Sequence, residues 1–257
     1  MTPAERIVAA LPRDGGRPRL IPYLMAGFPR LDLTAELLLA AEAGGAALVE
    51  LGLPHSDPLA DGPTIQAAGQ AALREGTTVA RALAQLTKAR SRGLAVPVVC
   101  MSHLNPLLQF GLDSFCSAAR QAGVDGLVVP DLPLEELAEL ALCASRTGLG
   151  ICTMVAPTTP DSRIELAAAR ASGFLYCVSR TGVTGAGGSG EGPELLRRAR
   201  ARTEVPLALG FGVRERAQID ALTGLAEAVV VGTRFVEAAA AEDPVSAVRE
   251  LGVRLSG

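Results

Sequence analysis

LVELGLPHSDPLADGPTIQ, residues 48–66, joins a short apolar segment to a loop rich in turn residues. The apolar segment reads as a β-strand, in which successive side chains point to opposite faces. Glu50 therefore shares a face with Leu48 and Gly52, and the pattern predicts a carboxylate on the inner face of the sheet. The turn residues that follow allow a second carboxylate, Asp61, to fold back over the end of the strand. Two acids that face one cavity can divide proton donation and proton abstraction between them.

This strand is one of several short segments rich in Val, Ile and Leu, each followed by an Ala-rich segment with helical periodicity. The segments lie near residues 19–25, 47–52, 96–101, 126–129, 150–155, 174–178, 206–209 and 227–231. Apolar strands that alternate with helices are typical of a parallel sheet covered on its outer side. A set of eight in 257 residues predicts an α/β fold, a single (β/α)8 TIM barrel. An additional N-terminal helix near residues 3–11 is expected to close the bottom of the barrel.

The composition fits one large domain over residues 1–257. Hydrophobic residues make up 49% of the chain and aromatic residues only 3%, so the core must be aliphatic. The net charge of −3, with acids and bases mixed along the chain, gives no basic surface for nucleic acid and no basic amphipathic helix for a membrane. No apolar run reaches the roughly 20 residues that span a bilayer, and residues 1–16 lack the apolar core of a secretion signal. The sequence therefore predicts a cytoplasmic protein with neither nucleic acid nor membrane as a partner.

Glycines follow three consecutive strands near the end of the chain, at Gly185, at 210–212 and at Gly232. Glycine lets backbone amides approach a ligand closely, and a helix that begins after Gly232 and Thr233 would direct its free amides and positive dipole at an anion. Barrels of this type gather functional groups at the carboxyl ends of their strands and commonly bind phosphate there. Each glycine alone could be a plain turn residue, but the three together favour a phosphate site.

Cysteine, lysine and histidine offer little alternative chemistry. The five cysteines have no zinc-site spacing and are expected to be small buried hydrophobic residues. Lys88, the only lysine, lies on a predicted outer helix, which does not suit a Schiff base. The only two histidines are His55 and His103. His55 with Asp57 and Asp61 is a weak candidate for a metal site, and no metal is predicted.

Glu50 and Asp61 are candidates for acid–base catalysis, and the residues alone leave a structural role equally open. Desolvation among Leu and Val should raise the pKa of Glu50, while Asp61 on its loop should stay ionised. The alternative is structural, with Glu50 paired to an arginine inside the barrel and Asp61 capping a helix that begins near Thr64.

The segment ELGLPHSDPLADGPTIQ closely resembles the signature segment of the tryptophan synthase alpha subunit family. Further segments that resemble the family follow in its order, namely IPYLMAGFP (21–29), VPDLP (129–133), APTTPDSRI (156–164), YCVSRTGVTG (176–185), LGFGV (209–213) and VVGTR (230–234). The resemblance implies a carbon–carbon lyase of tryptophan biosynthesis. It would cleave indole-3-glycerol phosphate by a retro-aldol reaction into indole and glyceraldehyde 3-phosphate, with no cofactor of its own.

The resemblance also implies roles for individual residues. Glu50 would be the proton shuttle at the ring carbon and the side-chain hydroxyl, and Asp61 the anion at the ring nitrogen. Tyr23 stands where the family commonly carries a Phe that lines the indole pocket, and Tyr176 matches an active-site position. A core aromatic is the plain alternative for both tyrosines.

The phosphate and the lid complete the implied site. Backbone amides at Gly185, Gly212, Gly232 and Thr233 would hold the phosphate, although Ser is more usual at the last position. Thr184 would bond Asp61 when a glycine-rich lid, residues 181–192, closes over the substrate.

The resemblance finally implies a partner, a beta subunit that holds pyridoxal phosphate, in an αββα heterotetramer. Its contacts are expected in residues 54–58 and 101–111. There the sequence departs from the family, because His55 stands where Phe is usual and Ser102-His103-Leu104 replaces a more aromatic sequence. A free-standing lyase that releases indole alone therefore stays open. A weakly catalytic, phosphate-binding activator subunit is the third alternative.

Overall fold

The structure is a computed structural model and describes residues 1–58, 61–178, 191–210 and 212–257. Its strands are parallel, pair in chain order and close into a barrel, since the last strand also pairs with the first. They are β1 (Arg19–Met25), β2 (Val49–Gly52), β3 (Val98–Met101), β4 (Gly126–Val128), β5 (Gly150–Val155), β6 (Leu175–Val178), β7 (Leu207–Gly210) and β8 (Ala228–Val231). Each overlaps a predicted segment, so the predicted (β/α)8 barrel is confirmed.

Helices surround the barrel and precede its first strand. They are α1 (Pro3–Ala10), α2 (Thr34–Ala43), α3 (Pro63–Arg74), α4 (Val79–Ser91), α5 (Leu104–Phe110), α6 (Leu112–Ala122), α7 (Ala138–Thr147), α8 (Asp161–Arg170), α9 (Glu191–Arg200), α10 (Arg216–Asp220), α11 (Thr233–Ala239) and α12 (Pro244–Ser256). Short 3-10 turns lie at Leu31–Leu33 and Leu134–Glu136. One aliphatic cluster fills the space between strands and helices, and a second fills the barrel interior.

The N-terminal helix α1 closes the amino end of the barrel, as predicted. Thr2 and Glu5 form a capping box at its start. Ile7 is buried in the interior cluster, and its Cδ1 lies 2.5 Å from where a Cβ on Gly126 would stand and 3.0 Å from that of Gly150. Because these glycines begin β4 and β5, the absence of their side chains makes room for the helix.

A buried carboxylate fastens α1 and α4 to this end of the barrel. Asp125, just before β4, contacts Arg6 Nη1 at 2.7 Å and Arg90 Nη2 at 2.8 Å. It also accepts a hydrogen bond from the backbone N–H of Val98 at 2.8 Å. Two cations and an amide thus compensate a charge that would otherwise be very unfavourable in the interior.

Other expectations from the composition also hold in the described residues. All five cysteines are free and buried, as expected for small hydrophobic residues. Lys88 is exposed on α4, in agreement with its predicted outer position. In the part of the chain that the structure describes, no helix has the length and apolar character needed to cross a membrane.

Candidate active site

Glu50 points into the barrel from the middle of β2, as the strand pattern predicts. It is the register partner of Tyr23 on β1 and of Val99 on β3, and both of these belong to the interior cluster. The residue is only 1% exposed, and neither carboxylate oxygen has a hydrogen-bond partner among the described residues. No described arginine contacts it, which excludes an ion pair with any of those arginines. A buried acid without partners is costly to a fold and marks a functional site.

Asp61 lies at the start of the segment that leads into α3 and is also buried, at 6% exposure. Helix α3 begins at Pro63 with Gly62 as its N-cap, and no side chain caps it. The contact to the helix is instead made by the backbone carbonyl of Asp61, which accepts a hydrogen bond from Gln66 Nε2 at 2.9 Å. The alternative that the Asp61 carboxylate caps this helix is therefore wrong.

The two acids differ in pKa in a way that suits acid–base chemistry. Burial raises the pKa of Glu50 to about 8, and the nearby charge of Asp61 adds to the effect. Burial raises the pKa of Asp61 to about 6. The sequence did not predict this second shift, because it placed Asp61 on an open loop. At pH 7 roughly nine-tenths of Glu50 is still protonated and a similar share of Asp61 is ionised, so a protonated acid lies within electrostatic reach of an anion.

Two tyrosines complete the interior layer around the acids. Tyr23 on β1 and Tyr176 on β6 belong to the interior cluster, so both side chains point into the barrel. Burial raises the pKa of each phenol well above its ordinary value, and the charges of Glu50 and Asp61 contribute to both shifts. Both phenols therefore remain neutral at physiological pH, and the four residues lie near enough to act on one another electrostatically.

Each tyrosine crosses a glycine on the next strand of the barrel. Tyr23 pairs in register with Glu50, and its hydroxyl lies 2.1 Å from where a Cβ on Gly52 would stand. Tyr176 pairs with Ala208, and a Cβ on Gly210 would stand 2.2 Å from its Cε1. Sequence reasoning missed this role of the two glycines. A glycine on the inner face of a strand, two residues beyond the partner of an aromatic, is the signal that could have indicated it.

Of the predicted phosphate residues that the structure describes, Gly232 lies beside this group, and Thr233 follows it in the chain. Gly232 is the N-cap of α11 and Thr233 is its first residue, where backbone amides have no partner within the helix. A Cβ on Gly232 would stand 3.8 Å from Tyr23 Cβ, so the end of β8 adjoins the tyrosine next to Glu50. Gly212 has a φ of +89°, a left-handed conformation that favours glycine.

The remaining predictions of this kind fall outside the described residues. Thr184, Gly185 and most of the predicted lid lie in residues 179–190. The described candidates all occupy β6, β7, β8, β1 and β2 or the segments that follow them, which are neighbours around the closed barrel.

A cavity that the sequence did not reveal opens at the ends of β4 and β5. It has a volume of about 290 Å3, and its lining includes Val129, Leu134, Cys152 and Met154. Burial raises the pKa of the Cys152 thiol to about 12, and the charge of Glu50 adds to this shift. Cys152, one residue of the lining, therefore lies within electrostatic reach of Glu50.

His55 and His103 meet outside the acid pair, in the segments that follow β2 and β3. Their ring centroids are 5.1 Å apart, and His103 is buried with no hydrogen-bond partner on Nε2 among the described residues. Burial lowers the pKa of His103. Within the described residues no three His, Cys, Asp or Glu side chains are grouped so that they could hold a metal ion.

Comparison with known proteins identifies the family. The sequence model described as "Tryptophan synthase alpha chain" matches residues 10–255. The tryptophan synthase alpha chain of Chloroflexus aurantiacus is 46% identical over 227 residues, which cover 88% of this chain and 85% of the relative. That of Carboxydothermus hydrogenoformans is 47% identical over 232 residues, covering 90% and 86%. The chain belongs to the tryptophan synthase alpha chain family.

Solved structures of tryptophan synthase agree with this membership. A ligand-free tryptophan synthase from M. tuberculosis superposes with a TM-score of 0.89 at 31% identity, covering all of this chain and 98% of the other. A tryptophan synthase complex from Pyrococcus furiosus gives a TM-score of 0.84 at 32% identity, covering 93% and 98%. The superpositions thus extend over nearly the whole of the closed barrel.

Proposed function

We propose that this chain is the subunit that cleaves indole-3-glycerol phosphate into indole and glyceraldehyde 3-phosphate, with Glu50 and Asp61 as the catalytic pair. The observation that carries the proposal is the pair itself. A carboxylic acid with a pKa of about 8 and no described hydrogen-bond partner lies within electrostatic reach of a carboxylate with a pKa of about 6. Family membership makes the chain a carbon–carbon lyase, and these two residues fit the proton transfers of that reaction.

The reaction needs a place for electrons while the carbon–carbon bond breaks, and the indole ring can provide it. In the proposed mechanism, protonated Glu50 donates its proton to the ring carbon that bears the glycerol phosphate chain. The ring becomes iminium-like, and Asp61 accepts a hydrogen bond from the ring N–H as positive charge develops there. Ionised Glu50 then removes the proton of the adjacent side-chain hydroxyl. The carbon–carbon bond breaks, its electron pair returns to the ring, and indole and the aldehyde leave while Glu50 is again protonated.

Substrate binding is assigned to the groups around the acids. Tyr23, Tyr176 and the cavity at the ends of β4 and β5 would surround the indole and glycerol parts. The amides of Gly212, Gly232 and Thr233 would hold the phosphate, and Gly185 and Thr184, outside the described residues, would complete the phosphate site and the lid. The adjacency of Gly232 and Tyr23 supports this proposal, because Tyr23 lies on the strand that pairs with Glu50.

Every step of this mechanism uses side chains and amides of the chain itself, so we propose that it needs no cofactor. The partner would be a beta subunit that holds pyridoxal phosphate and consumes the indole. A related protein from Pyrococcus furiosus, 34% identical with a TM-score of 0.83, is described as a tryptophan synthase a2b2 complex. We therefore propose an αββα heterotetramer. The loops with His55 and His103 would lie at the contact, beside Leu108, which is 52% exposed on α5.

Steady-state production of indole, with and without a cognate beta subunit, tests the proposal. Indole fluorescence can be followed directly, because the chain contains no Trp. Weak turnover alone and strong stimulation by the partner would support the alpha-subunit function. Full turnover alone would favour a free-standing lyase, and negligible turnover in both cases would favour a phosphate-binding activator. Glu50→Gln and Asp61→Asn variants, which should bind substrate within a few-fold of the parent, provide the matched inactive controls.

A further inference from the structure

Helix α3 lies over the carboxyl end of the barrel, at the ends of β8 and β1. Its buried residues Ile65, Ala68 and Ala72 belong to the interior cluster, together with residues of those two strands. A Cβ on Gly232, which follows β8, would stand 3.4 Å from Cδ1 of Ile65. Close packing of this kind leaves a helix little freedom to shift. The helix is therefore fixed relative to β1, the strand that pairs with Glu50.

Two glutamines on the exposed face of α3 hold the segment that leads into the helix. Nε2 of Gln66 donates to the carbonyl oxygen of Asp61 at 2.9 Å and to that of Pro58 at 3.4 Å. One turn later, Nε2 of Gln70 donates to the carbonyl oxygen of Ser56 at 3.2 Å. A side-chain amide carries two N–H donors, so Gln66 can form both of its hydrogen bonds at once. Pro58 and Asp61 are thus joined through one side chain.

The backbone of Asp61 depends on this side chain. Its described hydrogen bonds are the one that its N–H donates to the carbonyl oxygen of Pro58 at 3.2 Å and the one that its carbonyl accepts from Gln66. Pro58 is itself the second acceptor of Gln66, so both bonds belong to one small network. The Asp61 side chain is buried although the segment before it follows an exposed course at Ser56 and Asp57. Because the position of a backbone sets where its side chain stands, Gln66 acts on the carboxylate through the main chain.

We propose that Gln66 is a positioning residue for the reaction, which holds the backbone of Asp61 against α3 and so keeps the Asp61 carboxylate in its buried position. The role rests on the proposed function, in which Asp61 accepts a hydrogen bond from the substrate's ring N–H. Gln66 is exposed on the outer side of the helix and takes no part in proton transfer. Without its two hydrogen bonds, the segment would move away from α3 and water would reach the carboxylate.

The first test is a direct titration in the absence of substrate. Gln66→Met removes both N–H donors at similar side-chain length, and Gln70→Met is the matched control on the same exposed face. Carboxyl groups of the full-length chain are labelled with 13C and followed by NMR. Burial raises the pKa of Asp61 to about 6 in the parent, and in Gln66→Met the hydrated carboxylate should titrate about 1 pH unit lower. Gln70→Met should match the parent. An unchanged pKa of Asp61 in Gln66→Met, or an equal fall in both variants, overturns the proposal.

The second test uses catalysis with the same pair of variants. Gln66→Met should lower kcat about five- to tenfold, the effect of an ordinary hydrogen bond or slightly more, with KM within about twofold. The acid limb of its kcat/KM profile should also move to lower pH, because that limb reports Asp61. Gln70→Met should retain the rate and the profile of the parent. A loss of rate without movement of the acid limb would show a general loosening and overturn the positioning role. If the parent shows no cleavage while Asp61 titrates lower in Gln66→Met alone, the positioning of Asp61 stands and the proposed function fails.

Discussion

Tyr176 lies across Gly210, so that a Cβ on residue 210 would stand 2.2 Å from Cε1 of the ring and 2.6 Å from its hydroxyl oxygen. The ring is buried, and the ring centroid of Phe174 lies 6.0 Å from its own. A close-packed interior leaves the ring little room to move aside. The bare backbone of Gly210 therefore sets the direction in which Tyr176 enters the site.

Gly210→Ala is expected to damage the site more than the fold. The added methyl group must displace the Tyr176 ring, and such overpacking commonly costs about 1–3 kcal/mol of stability. The displaced ring should lower kcat/KM at least about tenfold. Steady-state indole release and urea unfolding measure the two effects.

A second glycine gives the control. Gly69 lies inside α3, and a Cβ there would meet only the flexible end of Met25 at 3.4 Å. Gly69→Ala should retain activity, and its free energy of unfolding should rise by about 0.5–1 kcal/mol, because alanine is the better helix former. Near-normal turnover of Gly210→Ala would mean that the orientation of Tyr176 does not matter for the reaction.

Glu50 should lower the free energy of unfolding of the protein at neutral pH. Its pKa is about 8 in the folded protein against 4.5 for an ordinary Glu. Because the pKa of Glu50 is higher in the folded than in the unfolded protein, its contribution to stability is fully present below about pH 4.5. This contribution is lost as the pH rises towards 8. Glu50→Gln removes the ionisation. The free energy of unfolding of Glu50→Gln minus that of the parent should be about 2–3 kcal/mol larger at pH 7 than at pH 4. The variant should also lose cleavage.

Urea unfolding of parent and variant at several pH values tests this trade-off. The difference in free energy of unfolding should grow steadily between pH 5 and pH 8. A difference that is constant with pH would mean that Glu50 titrates normally and is not desolvated.

The positions of the strands along the chain and the inward direction of Glu50 followed from the sequence, because both depend on local periodicity. In a strand, Leu48, Glu50 and Gly52 share one face and alternate with residues on the other face, independently of the rest of the chain. The burial of Asp61 did not follow from the sequence, since it depends on how the segment after β2 packs on residues that are distant in the chain. Packing of Tyr176 on Gly210 joins residues on different strands, and no spacing along the chain encodes that contact.

The reaction should show a bell-shaped dependence on pH. Cleavage needs ionised Asp61, whose pKa is about 6, and protonated Glu50, whose pKa is about 8. We expect kcat/KM to fall below pH 6 as Asp61 gains a proton and above pH 8 as Glu50 loses its own. A profile of the parent enzyme from pH 5 to 9.5 measures both limbs. A rate that stays flat through pH 8–9.5 would remove Glu50 as the acid.

Asp125 should affect stability without affecting catalysis, since it lies just before β4, at the end of the barrel that α1 closes. Its removal in Asp125→Ala leaves Arg6 and Arg90 without their shared carboxylate and Val98 without an acceptor for its amide. Breaking a buried pair of this kind costs about 3–5 kcal/mol, so the midpoint of thermal unfolding should fall markedly. Asp113→Ala gives the control, because its ion pair with Arg146 is exposed on both sides and should leave the midpoint nearly unchanged. At a temperature where Asp125→Ala is folded, its kcat and KM should equal those of the parent, because the acid pair is unchanged. A specific loss of kcat at that temperature would mean that the amino end of the barrel affects the chemistry at the carboxyl end.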